Sequence, residues 1–161
     1  NLKELKNNTL KRENFYFLII IIFIFVLDRY SKNQIIKNFS DGAYYINDFI
    51  NFDLIWNTGI GFGLLSSNSI LFYNLISGII ASVIIFLIIF AMRSDKFDKF
   101  NFSIIIGGAI GNFYDRITLN AVPDFIDLHY LEFHWFTFNF ADIFVTIGII
   151  AYILRDLILK K

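Results

Sequence analysis

SILFYNLISGIIASVIIFLIIFAM, Ser69 to Met92, runs for 24 residues without a single charge. A helix needs about 20 consecutive apolar residues to cross a bilayer, so this stretch alone reads as a membrane span. Three weaker stretches flank it. One is the unbroken apolar run Phe15–Leu27, a second contains Gly107, Gly108 and Gly111, and the third is interrupted by Asp142. With their polar ends included, the four spans fall at about 12–32, 69–92, 97–116 and 138–157. The chain is 57% hydrophobic and 17% charged with a mean hydropathy of +0.60. A soluble domain is nearer a quarter charged. The expectation is an all-α membrane protein, a four-transmembrane-helix bundle forming one domain over residues 1–161.

The basic residues set an orientation. Lys3, Lys6, Lys11 and Arg12 precede the first span; Arg93, Lys96 and Lys99 lie between the second and third; Arg155, Lys160 and Lys161 end the chain. The other side has Lys32 and Lys37, with Arg29 and Arg116 near helix ends. The positive-inside rule puts both termini in the cytoplasm and segments 33–67 and 117–137 outside. No small-x-small site follows the first span, where Asp28-Arg29-Tyr30 stands instead, so it reads as a retained anchor and not as a cleaved leader. The aromatic and β-branched stretch Tyr44–Trp56 makes 33–67 a β-rich extracytoplasmic segment between helices 1 and 2, lying at headgroup level. Zero formal net charge argues against an electrostatic nucleic-acid binder. With no Cys there is no disulfide framework, thiolate site or Cys nucleophile.

The polar residues that remain gather at the outer ends of the spans. Asp28 and Lys32 are spaced i,i+4, which suits a local ion pair with Lys32 reaching outward. Asn57-Thr-Gly59-Ile-Gly61-Phe62 offers an amide and flexible backbone, either an ordinary turn or a peptide-binding edge. In Gly107-Gly-Ala-Ile-Gly111-Asn112-Phe-Tyr-Asp115-Arg116 the glycines admit a close helix neighbour. Packing alone leaves Asn112, Asp115 and Arg116 unexplained, and intramembrane polar groups pair inside a bundle. Val122-Pro123-Asp124 puts a carboxylate after a stiffened backbone, while Asp127 reads as a solvated loop carboxylate. Asn139 and Asp142 share a helix face that Thr146 continues, a pattern that fits simple helix capping poorly. His129 and His134 lack a third ligand or a zinc-binding spacing, and read as interfacial loop residues; no metal and no cofactor is expected. A carboxylate at mid-membrane costs roughly 2.5–3.5 kcal/mol, so one that is kept there usually has a task. Two set together are the parts needed to activate water.

In this order, Asp28-x-x-Ser31-Lys32, Asn57-x-Gly59-x-x-Phe62, Gly107-Gly108-x-x-Gly111-Asn112-x-x-Asp115-Arg116, Val122-x-Asp124-Phe125-Ile126 and Phe138-Asn139-x-Ala141-Asp142 resemble the motifs of the lipoprotein signal peptidases, signal peptidase II. The resemblance runs from about Phe15 to Leu157. It departs at Gly61, where Ala is usual, and at Pro123, where an apolar residue is common. It implies an aspartyl endopeptidase of the bacterial inner membrane with Asp124 and Asp142 as the catalytic dyad. Asn57, Gly59, Asn112, Asp115, Arg116, Asn139, Asp28 and Lys32 would be substrate-binding or supporting residues. The implied substrate is a diacylglyceryl-modified prolipoprotein, cut N-terminal to the lipid-modified cysteine. The implied surroundings are membrane lipids, and the chain is expected to be a monomer. A small transporter or proton channel would also hold buried Asp residues, but nearer mid-bilayer and with inverted repeats. A non-catalytic assembly subunit leaves the paired carboxylates without a reason.

Overall fold

A computed structural model describes residues 12–59 and 70–159. Gly61, Phe62 and the first residue of the expected second span lie outside the described residues. Four helices are described: α1 (Arg12–Asn38), α2 (Ile70–Arg93), α3 (Lys96–Leu119) and α4 (Phe140–Leu159). They are joined by strands β1 (Tyr44–Asn47), β2 (Ile50–Asn57), β3 (Val122–Tyr130) and β4 (Phe133–Phe138), one antiparallel sheet in the order β1-β2-β3-β4.

Helix α3 is the centre of the bundle, packing against α1, α2 and α4. Its glycines are the reason it can. A Cβ on Gly107 would sit 2.9 Å from Ile24 Cβ of α1, and one on Gly108 would sit 2.5 Å from the Ala141 carbonyl oxygen of α4. Backbone approach of this kind is what small residues supply where lipid offers no hydrophobic drive. Asp95 caps α3, accepting from Phe97 N and Asp98 N at 3.0 Å. Arg155 of α4 bonds both Asp95 and Asp98, tying two helix ends together.

The distribution of polarity is inverted. Asp28, Lys32, Asp115, Arg116, Asn139 and Asp142 are buried, while Phe23 is 64% and Phe86 62% exposed. Such an exterior suits surrounding hydrocarbon, with the polar groups turned to one another. Within the described residues, two helical stretches, Asn14–Asn38 and Tyr73–Arg93, are long and apolar enough to cross a membrane by length and composition.

Several expectations need correcting. Helix α1 runs past Lys32 to Asn38, with Ile35 buried, because nothing from Ser31 to Asn38 breaks a helix. The sheet is not confined to the segment between helices 1 and 2, since residues 122–138 supply half of it. Phe138 ends a strand and does not open a helix. Pro123 fits in β3 because β4 pairs only from Ile126 onward, which leaves β3 a neighbour on one side there. The sheet rests on the C-terminal end of α1 and the N-terminal end of α4 through Phe125 and Ile126, packed against Ile35, Phe39, Phe140 and Ile143.

Candidate active site

Where β3 meets the first turn of α4, Asp124 and Asp142 come together around Asn139. The Asn139 side-chain amide donates to Asp124 Oδ1 at 2.5 Å, and its backbone N–H donates to Asp142 Oδ2 at 3.2 Å. The Asp142 N–H returns a bond to Asn139 Oδ1 at 3.1 Å. Asn139 is thus the N-cap of α4 and Asp142 its reciprocal partner three residues on, a capping box. This corrects the expectation that capping fits Asp142 poorly. Asp142 caps with one oxygen and keeps the other for Asn112, whose Nδ2 donates to Oδ1 at 2.8 Å.

Strand pairing places the last amide. Asn57 pairs with Val122 and Ile55 with Asp124, so Asn57 and Asp124 are diagonal neighbours on one face. Asn57 Nδ2 donates to Asp124 Oδ2 at 2.8 Å, while its Oδ1 accepts from Gly59 N at 2.8 Å. All four carboxylate oxygens of Asp124 and Asp142 therefore face a neutral amide donor.

Asp28 and Asp115 are treated differently. Lys32 Nζ donates to Asp28 Oδ2 at 2.9 Å and to Asp115 Oδ2 at 2.7 Å, and Arg29 also pairs with Asp115. Lys32 is fully buried, so it turns inward to α3 and does not reach outward as expected. The ammonium outbids water because two carboxylates and Asn112 Oδ1, at 2.8 Å, supply its three acceptors. That last bond also fixes the Asn112 amide, holding its Nδ2 toward Asp142. Asp28 Oδ1 accepts from Ala141 N at 3.1 Å and so ties α1 to the N-terminus of α4.

The two pairs of carboxylates thus differ in kind. Asp28 and Asp115 are neutralised by Lys32 and Arg29. Asp124 and Asp142 have amide dipoles but no ion pair among the described residues. Burial pushes the Asp124 carboxyl up to about 7, and the charge of Asp142 adds to this against the opposing bonds from Asn57 and Asn139. A carboxyl poised near neutrality beside a second one suits proton transfer.

Arg116 bonds the Gly59 carbonyl and lies over the Tyr73 ring at 5.7 Å. Tyr73 in turn donates to the Arg116 carbonyl at 2.9 Å. Sequence reasoning missed Arg29 and Tyr73. Arg29 had a signal, as an Arg adjacent to an intramembrane Asp; Tyr73 had none, inside an apolar run.

Asp127, read as solvated, is buried and accepts from or pairs with His134 Nδ1 at 2.6 Å. It lies within β3 with β2 and β4 on either side, opposite Asn51 and Thr137. Nor are the histidines in a loop: His129 is buried in β3 and stacks on His134 of β4 with ring centroids 5.3 Å apart. The apolar slot beside Asp142 is lined by Phe136, Phe138, Ile143, Thr146 and Ile147.

The family described as Signal peptidase (SPase) II matches residues 20–158. The chain is 47% identical over 154 residues to the lipoprotein signal peptidase of Pelagibacter ubique (strain HTCC1062), covering 93% of both chains. It is 37% identical over 158 residues to that of Francisella tularensis subsp. novicida (strain U112), covering 94% of this chain and 98% of the relative. A solved bacterial membrane enzyme superposes with a TM-score of 0.73 at 30% identity, covering 88% of this chain and 87% of that one. Matched along nearly all its length in sequence and in backbone, the chain belongs to the signal peptidase II family of membrane proteases.

Proposed function

We propose that this chain is an aspartyl endopeptidase that removes the signal peptide from diacylglyceryl-modified prolipoproteins, cutting N-terminal to the lipid-modified cysteine. The observation that carries the mechanism is the contrast above: one buried carboxylate pair is neutralised by cations, the other is held only by amides around Asn139. Two neighbouring buried carboxylates do not both ionise cheaply, so Asp124 and Asp142 share one proton and titrate as a pair. The ionised member takes a proton from water as the water oxygen bonds to the scissile carbonyl carbon. The protonated member gives its proton to the carbonyl oxygen. When the tetrahedral adduct collapses, the C–N bond breaks and the amine leaves with a proton returned by a carboxyl group. No acyl-enzyme forms.

Asn57, Asn112 and Asn139 aim the carboxylates, and Asp28, Lys32 and Asp115 hold the helices that carry those amides. Gly59 and Arg116 edge the site on the side where a peptide backbone enters. The chain acts as a single monomeric domain with four spans and both termini in the cytoplasm, the site facing outward among membrane lipids. The apolar slot beside Asp142 opens toward lipid, and the acyl chains of the precursor, staying in the bilayer, keep the peptide in register.

Purified protein in detergent, given a precursor with and without the diacylglyceryl group, tests this. The reading expects one cut, at the residue before the modified cysteine, and no cut in the unmodified precursor. Equal cleavage of both, or cleavage elsewhere, would overturn it.

A further inference from the structure

At the opposite end of the bundle from Asp124, helices α1, α2 and α3 leave a cleft of about 160 Å³ between them. Its walls are apolar, with Phe17, Leu18, Ile88, Ala91 and Met92 among them, and its polar end holds Lys99 and Asn14. The Lys99 ammonium bonds Asn14 Oδ1 at 3.0 Å and lies 5.6 Å from the Phe17 ring centre. Among the described residues no carboxylate pairs with it. The acidic residues nearest to Lys99 in sequence, Asp95 and Asp98, are occupied by Arg155. A half-buried cation beside an apolar trough calls for an occupant that brings an anion and a hydrocarbon tail together.

The geometry points to a binding site for one anionic phospholipid, its phosphate on Lys99 and an acyl chain along the α1–α2 cleft. An apolar helix from a second copy would fill the trough but would strip Lys99 of water without supplying a counter-charge, which is costly. A lipid phosphate supplies both, and basic pockets between membrane helices on the cytoplasmic side recognise anionic headgroups. The placement in the inner leaflet rests on the proposed orientation, in which Arg93, Lys96 and Lys99 face the cytoplasm.

Native mass spectrometry of the purified protein in mixed micelles of phosphatidylglycerol or phosphatidylcholine tests the site. Wild-type protein should retain one phosphatidylglycerol at least tenfold better than phosphatidylcholine. Lys99→Gln should abolish that preference, Lys99→Arg should keep it, and Ala91→Phe, which fills the cleft, should reduce retention of both lipids. Lys37→Gln, near the outer end of α1, and Asp124→Asn should leave the preference unchanged, so loss of the peptidase reading would not touch this one. Equal retention of the two lipids by wild-type protein, an unaltered preference in Lys99→Gln, or a dimer in place of the lipid adduct would overturn it. With no native Cys, Lys96→Cys reports the leaflet through an impermeant maleimide: labelling in inverted vesicles is expected, and labelling only from outside intact cells would overturn the inner-leaflet assignment.

Discussion

Asp124 titrates far from an ordinary carboxyl, and the sign of the consequence follows from its burial. Its carboxyl is raised from 3.8 to about 7. Between those values the folded chain holds a proton that the unfolded chain has lost, so stability falls as pH rises through that window. The fall is about 1.4 kcal/mol per pH unit, about 4 kcal/mol in all. Asp124→Asn is expected to flatten this slope in denaturant titrations run from pH 4 to 8; an unchanged slope would contradict the burial argument. Cleavage by wild-type protein should fall about tenfold per unit above pH 7, as the shared proton is lost. A rate that stays level to pH 9 would count against a protonated partner. Residue identities at the site were legible because lipid makes each buried polar group conspicuous. What each does was not: nothing in the spacing of Asp28 and Lys32 tells that the ammonium turns inward to Asp115, and Asp127 differs from Asp124 only through the strands that flank it.

The elements are held by contacts that single substitutions should break measurably. Lys32 neutralises two buried carboxylates. Lys32→Met leaves both without it, and removal of one partner from a buried ion pair costs about 3–5 kcal/mol. We expect a lower melting temperature in detergent and loss of cleavage, with Asn112 freed to flip away from Asp142. A Cβ on Gly111 would lie 2.5 Å from Asp28 Oδ2. Gly111→Ala should therefore push Asp28 off Ala141 N, destabilising by about 1–3 kcal/mol despite the better helix propensity of Ala; a thermal melt at or above wild type would contradict that packing. Helices α1 and α2 were readable from apolar length, α3 and α4 only with their polar ends counted in, and the β3–β4 hairpin was not readable at all. Its turn is Leu131-Glu132, with Leu131 at φ 53, in place of the Asn-Gly or Asp-Gly that marks such turns. Its β3 strand also has both faces buried, so no polar alternation shows.

Taken whole, the molecule is a polar interior in an apolar coat, with the candidate site at one end of the bundle and Arg93, Lys96, Lys99 and Arg155 at the other. That polarity sets an orientation testable with single cysteines, since none exist natively. Asp48→Cys in the β1–β2 turn should label from outside intact cells, while Lys96→Cys should label only after permeabilisation; the reverse would invert the topology. The membrane class was legible in composition, a property of the whole chain, while the four spans and their orientation stay expectations from apolar length and charge placement. The sheet that joins two distant segments arises from pairings between residues 50–57 and 122–128, and no local pattern announces such a register. The account depends most on Asp124 and Asp142 acting as one unit. The direct test is the initial rate of cleavage of a diacylglyceryl-modified precursor by purified Asp124→Asn, Asp142→Asn and the double variant, each checked for native helix content. Each single variant should lose at least a thousandfold and the double variant no more than either. Substantial processing by either single variant, or losses that multiply in the double, would contradict the dyad.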